Sequence, residues 1–212
     1  MKASLLALLL LTSCISSPGP PASRANHLFV WTRAAAAPDN DFLSVLDLNE
    51  GSPTYAQIVA TLPVPGGPGY AHHTEHQMPA GGILFANAFG TRKTYLFDLT
   101  IPTQPRLAGS FEAAGEYMHP HSFARLANGN VLATYQMRGH DNERPGALVE
   151  ISQAGRVIRA SDAADPAVEL FIRPYSLVVV PALDRVVTQA PICTRPRSAD
   201  LYRSGASRTW HF

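Results

Sequence analysis

Charge is scarce in this chain. Only 16% of its 212 residues are Asp, Glu, Lys or Arg, and the formal net charge is +1. Phosphate backbones are bound by concentrated basic surface, so a nucleic-acid partner is not expected. Cysteine is scarcer still, with Cys14 and Cys193 alone. Two such residues make neither a disulfide framework nor a C-x-x-C metal or redox site. No stretch keeps a helical period, and no apolar run is long enough to span a bilayer as a helix. The chain has no G-x-S-x-G elbow and no G-x-x-x-x-G-K-[ST] loop. Its Gly-rich PGGPG (65–69) is not followed by a helix, so a phosphate cradle is not expected.

What the chain does have is Pro, Gly and repetition. Its 18 prolines and 15 glycines suit turn-rich β-structure. AHHTEHQMPAGGILFAN recurs as MHPHSFARLANGNVLAT and again as RPYSLVVVPALDRVVT. Each copy is a polar anchor, a turn and an apolar strand. Aligned on the anchors, Thr74, Ser122 and Ser176 share one position, and His73, His121 and Tyr175 share the position before it. The copies lie 48 and 54 residues apart. A period near 50 built of short strands predicts an all-β fold, the blades of a β-propeller.

The predicted strands continue along the chain without a domain boundary. HLFVW (27–31), FLSVLDL (42–48) and YAQIVATLPV make a first unit. A second runs from about Tyr70 to Ala113, a third from about Gly115 to Ala160, and a fourth from LFIRPYSLVVV to Val187. Gly129 and Gly155 are placed for tight hairpin turns. The blades thus occupy 27–188 and number about three and a half. An open ring of this kind exposes a strand edge and the apolar faces between blades.

The two ends read differently. Residues 1–14 have a basic start at Lys2 and an apolar run from Leu5 to Leu11, the pattern of an export signal. Leu11-Thr12-Ser13-Cys14 matches a lipobox, which predicts cleavage before Cys14 and a lipid anchor on it. The alternative is ordinary cleavage near Ala22 or Ala25. Either way the protein is expected outside the cytoplasm, periplasmic or in the cell envelope, touching membrane only through the anchor, with 15–26 as a flexible tether. From about Gln189 the alternation stops and no strand is expected. Back-translation with GC-rich codons and a one-base shift yields TDMHTPALGRPVQVWRLSDLAL, whose VQVWRLSDL matches the earlier strands. We therefore expect 189–212 to be a frameshifted, non-native tail; the alternative is a genuine divergent one.

Five of the eight histidines fall in two homologous segments: His72, His73 and His76 in HHTEH, His119 and His121 in HPH. Neutral imidazole binds borderline metals, and an imidazole-rich set without thiolate favours copper, iron or zinc over calcium or magnesium. In HPH the proline holds the backbone extended, which predicts that His119 and His121 project to one side. His73 and His121 occupy equivalent positions of adjacent blades, so three or four imidazoles are expected to converge, with Glu75 and Tyr175 beside them. The alternative is a set of hydrogen-bonded structural or solvated histidines. His27, His140 and His211 read as incidental, and Arg173 and Pro174 as strand-entry residues. Ser122 adjoins His121, but neighbours on a strand face opposite ways, which argues against a Ser–His nucleophile pair.

DFLSVLDLNEGSPTYAQIVATLPVP, HHTEH, TYLFDLTIPTQPRL and HPHSFARLANGNVLATY together resemble the selenium-binding protein family, which includes the methanethiol oxidases. The resemblance covers about 27–188. It implies a seven-bladed propeller with a histidine-lined metal centre on its axis. For the oxidase members it implies copper-dependent oxidation of methanethiol to formaldehyde, hydrogen peroxide and hydrogen sulfide. By motif, His72, His73 and His76 match the family's paired-histidine segment, and His119 and His121 its later one. The cysteine behind selenium association in eukaryotic members has no counterpart, so selenium binding is not expected. WTRAAAAPDND replaces a more polar segment, and the later blades are missing. Two functions follow: a metal-dependent oxidase of small thiols, or a non-catalytic metal- or ligand-binding propeller. As encoded, the chain is expected to be too incomplete for activity, an inactive product of a truncated gene.

Overall fold

The computed structural model describes residues 26–36, 39–139, 144–167, 172–190 and 207–210. The export signal, Cys14, nearly all of the tether, His140, Cys193 and His211 lie outside the described residues. Among the described residues, fourteen strands form four antiparallel meanders, each ordered as in the chain. The first is β1 (His27–Thr32), β2 (Phe42–Asp47) and β3 (Ile58–Pro63). The second is β4 (Ala71–Thr74), β5 (Ile83–Ala88), β6 (Lys93–Asp98) and β7 (Arg106–Phe111). The third is β8 (Tyr117–Arg125), β9 (Val131–Arg138), β10 (Ala147–Ile151) and β11 (Val157–Asp162). The fourth is β12 (Ser176–Val180), β13 (Arg185–Gln189) and β14 (Ser207–Trp210). Two four-stranded and two three-stranded sheets make the expected three and a half blades. The one helical element among the described residues is a 3-10 turn at Pro181–Leu183.

Burial follows the place of each strand in its blade. The middle strands β5, β6, β9 and β10 are covered on both faces. That is why they read as near-continuous apolar runs. The outer strands β7 and β11 have one or both faces in water. Successive residues of one strand serve different seams, as period-two geometry requires. Leu84, Ala86, Tyr95 and Phe97 pack against Leu43 and Val64 of the first blade, with Phe29 and Trp31 at the margin. Phe85 and Leu96 pack the other way, onto Phe123, Val131, Tyr135 and Val149 of the third. Leu132 and Leu148 then meet Val186 and Leu177 of the fourth.

Tight glycine turns fix the hairpins as expected. Gly129 and Gly155 have φ of 84° and 80°, a conformation that costs glycine little. Each donates its N–H to a carbonyl three residues back, Leu126 O and Ser152 O.

Two expectations are corrected here. The segment after Gln189 is not without a strand: β14 pairs with β13, Gln189 opposite Ser207 and Val186 opposite Trp210. The HPH segment is not uniformly extended either. His119 has φ of 59°, left-handed backbone that histidine tolerates better than most residues. The β8–β9 register slips between Pro120 and Phe123. The slip marks a bulge, which re-aims side chains.

Candidate metal centre

The inner strands of adjacent blades carry the site. β4 presents His72 and His73, and β8 presents His121. One nitrogen from each of the three lies within 4.8 Å of the other two. Ring centroids are 4.1 Å apart for His72–His73, 4.8 Å for His72–His121 and 4.5 Å for His73–His121. Two nitrogens bound to one ion about 2 Å from each stand at most about 4 Å apart, so a small closure of the group completes a shared site. Tyr175, entering β12, lays its ring 3.6 Å from that of His121. The aligned column His73, His121, Tyr175 is thus a continuous run of ring contacts across three blades, the rings tilted by 56° and 37°.

His121 is the most enclosed member, 1% exposed. Its Nδ1 lies 3.1 Å from Ser122 Oγ, and its Nε2 is buried with no hydrogen-bond partner among the described residues. Buried polar atoms are nearly always partnered. The Tyr175 carbonyl comes close enough to the ring to favour its protonated form a little, but short of a hydrogen bond to Nε2. An imidazole with an oxygen on Nδ1 and an unbonded Nε2 is disposed as a metal ligand is. His73 is half-buried and His72 exposed, which leaves the group open to solvent on one side. Phe89, at the end of β5, forms an apolar wall, its ring 5.3 Å from His72 and 6.1 Å from His121.

Electrostatics keep the group neutral. Burial pulls His121 down to about 3, with the nearby His73 and His72 adding to the effect. His73 falls to about 4, from burial first and then its neighbours His72 and His76. His72 is lowered by burial. Neutral imidazole is the ligating form. A stability consequence follows. These folded-state values lie below the ordinary 6.5, so below that pH the unfolded chain takes up protons that the folded chain refuses. Stability is therefore full above pH 6.5, declines as pH falls, and stops declining only below the folded-state values of about 4 and about 3. Thermal melts in chelator should show a midpoint that drops steadily from pH 7 to pH 5, above most carboxylate titration. A flat or rising midpoint over that window would refute the assignment.

The remaining candidates are placed elsewhere. His119 does not join the three. Its left-handed backbone carries it to the Phe89 ring, 5.6 Å away, where burial, then Arg92 and Arg173, pull it down to about 4. His76 is an exposed loop residue. Glu75 is corrected outright, because its carboxylate faces Arg125 and not the imidazoles. Arg125 Nε and Nη2 donate to its two oxygens at 2.9 and 2.6 Å, and Phe85 N–H donates at 3.0 Å. Ser122 is a correction in the other direction: the bulge turns its hydroxyl onto His121 despite their adjacency. Phe89 was not signalled by sequence, since a Phe beside an apolar strand looks like any other strand residue.

No protein-family model and no curated protein matches the sequence. Solved structures do match its fold. The X-ray structure of a hypothetical selenium-binding protein from Sulfolobus tokodaii is similar, with a TM-score of 0.56 and 15% identity over 72% of this chain and 36% of that one. The dihydro-heme d1 dehydrogenase NirN, solved in complex with DHE, matches with a TM-score of 0.54 and 16% identity over 92% of this chain and 37% of its own. A protein from Lactobacillus plantarum matches with a TM-score of 0.52 and 12% identity, covering 88% and 52%. This chain spans between about a third and about half the length of these structures. At such identities the likeness shows the β-propeller fold and nothing about chemistry.

Proposed function

We propose that His72, His73 and His121 hold one redox-active metal ion, copper, and that the propeller to which these blades belong oxidises a small thiol. The observation that carries the reading is the buried, unpartnered Nε2 of His121 converging with two further neutral imidazoles. Three nitrogen ligands without thiolate suit copper. The motif resemblance points the same way.

When bound, copper would supply one-electron redox chemistry between thiol and dioxygen. The chain's own residues do the rest. His121 is held in orientation by Ser122 and by the Tyr175 ring. The exposed side at His72 admits substrate, and Phe89 gives a methyl group an apolar surface to sit against. His119 stands beside that wall, held neutral by burial, Arg92 and Arg173, which disfavour its protonated form; the thiol proton therefore leaves to solvent on the open side at His72. For methanethiol the balanced reaction consumes dioxygen and water and gives formaldehyde, hydrogen sulfide and hydrogen peroxide. The proposal also places the protein in the cell envelope, on the strength of the export pattern at 1–14.

The test loads a complete propeller that carries these blades with Cu²⁺, measures metal content after desalting, and follows oxygen consumption with methanethiol. One copper per chain and oxygen uptake proportional to bound copper are expected. A variant with His72, His73 and His121 all replaced by Ala should show neither. Bound copper without thiol-dependent uptake would leave a non-catalytic metal-binding propeller, and no bound copper would sink both readings.

A further inference from the structure

Asn87, on β5, is completely buried and all three of its outer polar groups are used across strands. Its Oδ1 accepts the backbone N–H of His73 at 2.6 Å. Its Nδ2 donates to the carbonyl of Pro120, the residue before His121, at 2.5 Å. Its own carbonyl accepts the indole N–H of Trp31 on β1 at 2.7 Å. One amide therefore ties the backbone that carries His73 to the backbone that carries His121, across the seam between two blades.

The next seam repeats the device with a different side chain. Thr134 on β9 accepts the N–H of Ser122 at 2.9 Å and donates to the carbonyl of Tyr175 at 2.7 Å. In both seams a buried polar residue of the second strand clips its own inner strand to the inner strand of the following blade. Each clip lands within one residue of the column His73, His121, Tyr175. Ordinary seam packing needs no such clip, since apolar clusters already join the blades at both of these seams. A buried amide satisfied on both sides instead fixes a spacing, because stretching the seam would strand its donor or its acceptor without water.

We propose that Asn87 is a positioning residue for the imidazole group, setting the distance between His73 and His121 and so the ligand field of the ion they share. The inference rests on the metal reading above. Its chemistry is that of residues behind a metal site, whose loss typically weakens metal binding about 10–100-fold without removing a ligand.

Two variants test it. Asn87→Leu keeps the branched shape, with somewhat bulkier ends, and removes both bonds. Asn87→Ser is the milder change, with a hydroxyl too short to reach both partners. The readouts are Cu²⁺ affinity by competition with a chelator, and the electron paramagnetic resonance spectrum at saturating copper. The spectrum reports the ligand arrangement of folded, loaded molecules, so lost stability alone does not alter it. Val149→Ala, a core truncation on β10, is the control for stability. We expect affinity about tenfold weaker or worse in the Asn87 variants, with altered copper hyperfine splitting, while Val149→Ala keeps the unsubstituted spectrum. Unchanged affinity and spectrum in Asn87→Ser, or equal changes in Val149→Ala, would overturn the assignment. Failure of the unsubstituted protein to bind copper would instead overturn the metal reading beneath it.

Discussion

Glu75→Ala is expected to cost about 3–5 kcal/mol of stability, the usual range when one member of a buried ion pair is removed. The Glu75 side chain is 2% exposed and that of Arg125 21%, so the guanidinium left behind cannot be fully rehydrated. The pair is bidentate, which gives the contact its geometry as well as its charge. Arg125 also donates to the carbonyls of Gly129 and Ile83 at 2.9 and 2.8 Å. It therefore gathers a hairpin of its own blade and a strand of the preceding one. Without Glu75, Phe85 N–H also loses its acceptor. Replacing both partners, as in Glu75→Leu with Arg125→Met, should cost clearly less than Glu75→Ala alone, because no buried charge is then stranded. Urea denaturation of the three proteins measures both effects. A loss under 1 kcal/mol in Glu75→Ala, or a double variant less stable than the single one, would show that the pair carries little.

That Glu75 is structural was not visible along the chain. The two residues are 50 positions apart, and nothing local marks which arginine a given glutamate will meet. The repeat, by contrast, was fully legible. Anchor alignment of the sequence puts His73, His121 and Tyr175 in one column. The structure brings their rings together at 4.5 and 3.6 Å, because equivalent strands in successive blades repeat the same backbone frame. Extrapolation failed where that frame breaks. His119 leaves the group through a left-handed residue, and Ser122 enters it through a register slip. Both events lie within four residues, and both undo the strict alternation on which a strand reading depends. Asn87 escaped notice for another reason. Its role lies in two backbone contacts on different blades, and side-chain patterns along one strand carry no trace of those.

His121→Phe separates stability from function at the same atom. Phenylalanine keeps a flat ring for Tyr175 to stack on, but it has no nitrogen. In the metal-free protein the Nε2 of His121 is buried without a partner, a state that costs about 1–3 kcal/mol. Its removal recovers that cost, against the loss of the one hydrogen bond between Nδ1 and Ser122 Oγ, itself worth about 1 kcal/mol. The apo variant should therefore be more stable by about 1 kcal/mol, and the fall in its melting midpoint between pH 7 and pH 5 should shrink, since the most depressed histidine is gone. Copper binding should be lost in the same protein, because the two imidazoles that remain both sit on β4 and no longer bridge the blades. A residue retained at a cost to folding is one whose benefit lies elsewhere. Calorimetry of the apo proteins and copper titration of each decide the matter together. A destabilised His121→Phe that still binds copper with unsubstituted affinity would mean that His121 serves the core and that the metal, if held at all, is held by other residues.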